Sequence, residues 1–183
     1  MFGFFRKKVN NAASLSGEQC NIDLSENGIT INGVKLDVLV HIEAAETLLG
    51  EPRVVKLKTS SGCRKFLEGR YGEGMVTNRV NYTWDDLGIY CYTMNGKVIS
   101  CFGFIFRRAP ELHLEYTPAK MFSGTLTIGG ELWEQAVRRG EDCEFMRELR
   151  LGSYLVTAEY ADPFSGSTPD EFGYNCVEIQ LDG

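Results

Sequence analysis

The chain has 183 residues, of which 43% are hydrophobic and 24% charged, with 20 Gly and 5 Pro. These values exclude a wholly disordered, collagen-like or coiled-coil chain and are typical of a globular protein. The net charge of −6 is uneven, because residues 81–183 carry 16 Asp/Glu against 8 Lys/Arg. This acidic half argues against nucleic acid as a partner and suits a basic protein, although a solvated acidic surface is the simpler explanation.

Residues 1–20 are predicted to be a loosely ordered N-terminal segment. Phe2, Phe4 and Phe5 come before the cations of residues 6–8, which reverses the order in a secretory signal. No apolar run reaches the roughly 18 to 20 residues of a membrane-spanning helix. We therefore expect a cytoplasmic protein with reduced cysteines and no stable membrane insertion.

The first predicted elements are a hairpin and a helix. Residues 28–36 place β-branched side chains around Asn32-Gly33, which predicts a short β-hairpin. An apolar stripe predicts a helix over 41–49, which Gly50 and Pro52 should end. Strands are then expected near 53–58 and 75–82, with a basic loop between them.

The next predicted feature is a pair of central strands. A turn at residues 84–88 leads into strands over 89–94 and 97–107, joined at Asn95-Gly96. Both strands carry apolar residues on both faces, which is typical of strands covered on both sides. A two-residue turn would place Cys91 opposite Ser100, so that Cys91 and Cys101 lie on opposite faces and a disulfide between them is disfavoured.

After residue 110 the pattern restarts. Residues 126–130 repeat residues 29–33 with an offset of 97, and a second helical stripe follows at 132–137. Alternating strands are expected over 154–160 and 174–181. We therefore predict an α+β protein with a mainly antiparallel sheet and two short amphipathic helices. Its two similar strand–helix–sheet units, 21–110 and 111–183, would pack as one body.

Motifs for catalysis are weak. Cys63 has cations beside it, but only His41 and His113 could act as its base. No cysteine or histidine spacing fits zinc, and the glycine-rich residues 69–74 lack a phosphate-loop lysine. Acidic clusters at Asp85-Asp86 and 141–144 could hold a cation or perform acid–base chemistry, but clusters this small are usually solvated. We expect no cofactor and no metal.

Acidic and aromatic residues alternate in three places of the C-terminal half. Aromatic side chains ringed by acids suit an interface with a basic protein, although core aromatics with acidic turns would give the same pattern. The predicted partner contacts are Trp84, Asp85, Asp86, Tyr160, Asp162, Phe164, Asp170, Glu171, Phe172 and Tyr174.

Several segments together resemble a known family. They lie at residues 28–33, 49–52, 84–92, 95–100 and 122–128, and they resemble small uncharacterised bacterial proteins similar to the immunity proteins of polymorphic toxins and secretion systems. The helix, its Leu49-Gly50-Glu51-Pro52 end and the following strands are also similar to the αβ unit of β-lactamase-inhibitor-like and outer-membrane-assembly lipoprotein folds. The family carries no catalytic motif, and a fold likeness alone does not establish function.

The resemblance implies an immunity protein used in bacterial competition, for example beside type VI secretion. It would bind a cytosolic toxin with a basic surface, such as a nuclease, an ADP-ribosyltransferase or a nucleotide-consuming enzyme. Two alternatives remain open at this point. One is a small cytosolic enzyme that uses Cys63 or the acidic clusters, and the other is a peripheral scaffold that uses Phe2, Phe4 and Phe5.

Overall fold

Two sheets and two short helices make up the part of the chain described by the structure, a computed structural model, which comprises residues 20–56, 79–93, 96–107, 117–143, 145–160 and 173–181. Helix α1 spans Ile42–Leu49 and helix α2 spans Trp133–Val137. The strands are β1 (Asn21–Ser25), β2 (Gly28–Ile31), β3 (Val34–Lys35), β4 (Arg53–Lys56), β5 (Val80–Trp84), β6 (Ile89–Thr93), β7 (Ile99–Ile105), β8 (Thr125–Ile128), β9 (Glu131–Leu132), β10 (Glu141–Cys143), β11 (Met146–Leu151), β12 (Tyr154–Tyr160) and β13 (Tyr174–Leu181).

The strand order confirms the predicted α+β class. A small sheet has the order β3-β2-β1-β8-β9, and a large sheet has the order β10-β11-β12-β13-β7-β6-β5-β4. The β1–β8 pair is parallel, and the other pairs within the described residues are antiparallel.

The order of elements repeats along the chain. β2-β3-α1-β4-β5-β6-β7 is followed by β8-β9-α2-β10-β11-β12-β13. Outward from the central β7–β13 pair of the large sheet, β6, β5 and β4 follow on one side and β12, β11 and β10 on the other, each in reverse chain order. β1 lies between β2 and β8 as the one described element without a counterpart. The division into two units, 21–110 and 111–183, stays a prediction, and its boundary between 110 and 111 lies outside the described residues.

Local sequence explains the first hairpin and helix. Asn32 and Gly33 have φ of 50° and 79°, and positive φ at both turn residues matches the right-handed twist of the flanking strands. Helix α1 buries Ile42 and Leu49, and it ends where Gly50 adopts a φ of 90°. The predicted hairpin and helix are thus both confirmed.

One contiguous cluster of buried residues forms the core. It joins the inner face of the large sheet to the small sheet and both helices. Its members on the large sheet include Trp84, Ile89, Phe104, Val156 and Val177. We call the opposite side of the large sheet the far face.

The β6–β7 register differs from the predicted one. Cys91 pairs with Phe102 and Tyr92 with Cys101, which is two positions from the predicted pairing of Cys91 with Ser100. The predicted two-residue turn is wrong, because β6 ends at Thr93 and the register shifts between Tyr92 and Thr93. A shift of two positions preserves the face of each residue, so Cys91 and Cys101 do lie on opposite faces.

Candidate functional site

The turn after β5 carries three of the predicted contact residues. The Trp84 indole is buried, and its Nε1–H donates to the Gly50 carbonyl oxygen at 2.8 Å. Asp85 accepts two hydrogen bonds from Arg53, at 2.7 Å from Nε and 2.9 Å from Nη2. Trp84 and Asp85 therefore hold the turn in place. The Asp86 side chain, which is 81% exposed, presents its carboxylate to solvent.

The Arg53–Asp85 pair also ties β4 to residues 117–119. Arg53 Nη2 donates to the Thr117 carbonyl oxygen at 3.1 Å, and the Ala119 backbone N–H donates to Asp85 Oδ1 at 2.9 Å. The hydrogen bond from Arg53 lowers the pKa of Asp85, and the backbone N–H acts in the same direction. This carboxylate is thus satisfied by internal donors.

A cleft of about 590 Å³ opens beside this turn. Residues 49–53 form one side and residues 83–87 the other, so helix α1 ends at the cleft. Its volume falls within the roughly 300–1,000 Å³ typical of ligand sites. Glu51 and Asp86 are the exposed carboxylates of its lining.

The predicted contacts Tyr160 and Tyr174 are buried on strands β12 and β13. The Tyr160 hydroxyl donates to Asp142, whose carboxylate also receives the Arg147 Nε–H at 2.9 Å. The first of these bonds is the main cause of the lowered pKa of Asp142. The Tyr174 ring lies 5.7 Å from that of Tyr160 and 5.8 Å from that of Trp133, between centroids. Both tyrosines thus have internal contacts, and their role toward a partner stays a prediction.

The two groups of predicted contacts lie at the same end of the large sheet. Paired residues run in one row from Trp84 across β6, β7 and β13 to Ala158, two positions before Tyr160. Strands lie about 4.8 Å apart, so these four spacings separate Trp84 from Ala158 by roughly 19 Å. The remaining predicted contacts, Asp162, Phe164, Asp170, Glu171 and Phe172, lie outside the described residues.

The far face has a tightly bonded centre and an acidic outer half. The Tyr90 hydroxyl donates to Glu178 Oε1 at 2.6 Å, with its ring over Gly103 between them. Burial raises the pKa of Tyr90 well above its usual value. Farther out, Glu141 and Glu148 are direct cross-strand partners, a like-charge pair. Sequence analysis did not predict this arrangement of side chains on the far face, because the residues that form it come from separate strands.

Four of the five described cysteines are buried and are poor candidates for a nucleophile, while Cys143 is exposed. Burial raises the pKa of Cys20 to about 11 and those of Cys91, Cys101 and Cys176 further, so their thiols stay protonated at neutral pH. Cys63 lies outside the described residues, and its proposed reactivity stays a prediction.

The acidic cluster at 141–144 does not converge on one point. Glu141 and Asp142 are neighbours on β10 and point to opposite faces, while Glu144 lies outside the described residues. Within the described residues, no group of three His, Cys, Asp or Glu side chains could hold a metal ion. No helix in this part of the chain has the length and apolar character needed to cross a bilayer.

A second, smaller cleft occupies the equivalent place in the second unit. It has a volume of about 210 Å³ and is lined by residues 139–141 and 148–150. The turn that follows each helix, at Gly50 or Gly140, forms one side of its cleft. Sequence analysis missed this cleft because strands β10 and β11 were not predicted, although the 97-residue repeat pointed to the equivalence.

Comparison with known proteins identifies a family. No curated protein and no solved structure matches the chain. The family model described as a domain of unknown function (DUF7738) matches residues 21–142. The match runs from β1 into β10 and covers well over half of the chain. The chain therefore belongs to the DUF7738 family.

Proposed function

We propose that this protein is a bacterial immunity protein that binds a cognate toxin domain and blocks its active site or the approach of its substrate. It would act in the cytoplasm, without catalysis of its own. The sequence resemblance suggests this class, and the acidic C-terminal half favours a toxin with a basic surface. A nuclease, an ADP-ribosyltransferase or a nucleotide-consuming enzyme would fit.

The observation that carries the proposal is a set of exposed carboxylates at one end of the large sheet, and it includes the predicted contact Asp86. Asp86 and the β12 residue Glu159 lie at the same end of the large sheet, and both are exposed. Asp142, on β10 in the same row as Trp84 and Ala158, has a side chain that is 66% exposed. Exposed carboxylates spread over one end of a rigid sheet would steer a basic surface toward it and set its orientation.

The first test is a pull-down with the tagged full chain from the source bacterium, including the product of the adjacent gene. We expect a complex of nanomolar affinity or tighter, together with loss of the toxin's activity. If the adjacent gene product is present and does not bind, the immunity proposal is wrong.

Charge reversal then tests the surface. Asp86→Lys with Glu159→Lys should slow association about tenfold or more at low salt, because charges at the edge of an interface act mainly on the association rate. The matched control, Glu26→Lys with Asp37→Lys, changes the net charge equally at exposed sites away from this end. Reversal of Asp162, Asp170 and Glu171 should act in the same direction as the first variant. Equal rates for the test and control variants would refute the assigned surface.

A further inference from the structure

The cleft beside Trp84 is built before any partner arrives. Two contacts join its sides, residues 49–53 and 83–87. The Trp84 indole donates a hydrogen bond to the Gly50 carbonyl oxygen. Arg53 and Asp85 are held together by two further hydrogen bonds. Because these walls are fixed by internal bonds, little side-chain freedom would be lost when the cleft is filled.

The electrostatic character of the cleft is negative. Helix α1 ends at Leu49, and the carbonyl end of a helix carries a partial negative charge. The last turn of α1 has no basic residue. Glu51 is exposed and has no ion-pair partner among the described residues. Asp86 pairs with Lys120 at 2.8 Å, but both side chains are well exposed, so solvent weakens that pair.

The second unit shows what the first one lacks. There, Arg138 and Arg139 follow helix α2 directly, and Arg139 and Arg150 line the smaller cleft. Arg139 pairs with Glu131 at 3.1 Å, and the lining of this cleft balances two arginines against the two carboxylates of Glu141 and Glu148. In the first unit the equivalent cleft has nearly three times the volume. Among the described residues, its lining sets three carboxylates, Glu51, Asp85 and Asp86, against Arg53 alone, which is paired with Asp85.

From this difference we propose that the cleft between residues 49–53 and 83–87 receives an arginine side chain of a partner protein. The guanidinium would lie between Glu51 and Asp86, at the carbonyl end of α1. Arginine fits better than lysine because its planar fork can bond two carboxylates at once. Assigning the arginine to the toxin rests on the proposed function.

The two tryptophans of the chain provide a direct test. The probe is N-acetyl-arginine methylamide, whose single charge is the guanidinium, and the control ligand is the uncharged citrulline analogue. In ¹H–¹⁵N spectra of the full chain, we expect the arginine probe in millimolar amounts to shift the Trp84 indole signal. The indole signal of Trp133, which belongs to the second unit and stacks on Phe106, should stay unchanged. The proposal is overturned if the Trp84 signal does not move or if citrulline moves it equally.

Variants separate this cleft from the function of the whole protein. Glu51→Gln with Asp86→Asn should abolish the probe-induced shift, whereas Glu134→Gln, at an exposed site on α2, should leave it intact. The same double variant should weaken a toxin complex about tenfold or more, since hydrogen bonds to charged groups are lost. If the toxin binds the double variant as tightly as the wild type, the cleft proposal fails and the immunity proposal stands. If the probe binds but the adjacent gene product does not, the immunity proposal fails and the cleft proposal stands.

Discussion

Gly103→Ala tests how the centre of the far face is assembled. A Cβ atom at this position would lie 2.0 Å from Cζ of Tyr90, inside the ring's own volume. The ring must therefore leave its place over β7. Its hydroxyl would then lose the 2.6 Å hydrogen bond to Glu178, whose carboxylate lies on the next strand.

The expected cost follows from two losses and one gain. Forcing an extra methyl group into a packed site costs about 1–3 kcal/mol. Losing a hydrogen bond to a charged group costs about 1.5–3 kcal/mol more. Replacing Gly by Ala within a strand returns about 0.5–1 kcal/mol through the backbone. We expect Gly103→Ala to lower the free energy of unfolding by about 2–5 kcal/mol, with Tm falling about 2–4 °C per kcal/mol.

Urea unfolding in a double-mutant cycle isolates the cause. With Tyr90→Ala as the background, no ring opposes the new methyl group, so Gly103→Ala should be neutral or stabilising by up to about 1 kcal/mol. Tyr90→Phe keeps the ring and measures the hydroxyl's share. If Gly103→Ala costs the same in the presence and absence of the Tyr90 ring, the reasoning is wrong.

Two further predictions concern the turn and its ion pair. Gly88→Ala should lower the free energy of unfolding far more than Gly96→Ala, although both glycines have a φ of 72°. A Cβ atom at residue 88 would lie 2.1 Å from the Phe122 backbone nitrogen, whereas a Cβ atom at residue 96 would meet nothing within 4 Å. Similar urea midpoints for the two variants would contradict this. Since Arg53 lowers the pKa of Asp85, the stability contributed by this carboxylate is present above its unfolded pKa of about 3.9 and is lost as the pH falls through the folded value. Asp85→Asn should therefore lose less stability than the wild type on acidification, and parallel urea-unfolding curves would refute the linkage.

The elements predicted from sequence are those with strong local causes. Asn32-Gly33 tolerates positive φ, and Gly50 ends α1 in a conformation that few other residues adopt. Strands β12 and β13 alternate cleanly, and the structure has both with the predicted bounds. These patterns depend on neighbours in the chain, so they can be interpreted without knowing the fold.

The strands that sequence analysis missed depend on distant partners. Met146–Leu151 mixes Arg147, Glu148 and Arg150 with apolar residues, which hides its alternation, and its strand conformation comes from pairing with β12. Asn21–Ser25 pairs in parallel with Thr125–Ile128, about 100 residues away. No local pattern encodes such a pairing, because its free energy comes from contacts made only after both segments meet.

The sequence by itself determined the α+β class and the acidic, aromatic character of the C-terminal half, and it predicted two repeated units. The tertiary structure decided what those side chains do. Trp84 and Tyr160 are residue types that are common at interfaces, yet packing buries both of them. Asp86 remains exposed. The structure also decided that the two units join through β7 and β13, which brings the described predicted contacts, from Trp84 to Asp86 and at Tyr160 and Tyr174, to one end of one sheet. Exposure and register depend on which surfaces pack together, and this packing is determined by contacts throughout the chain rather than by local sequence.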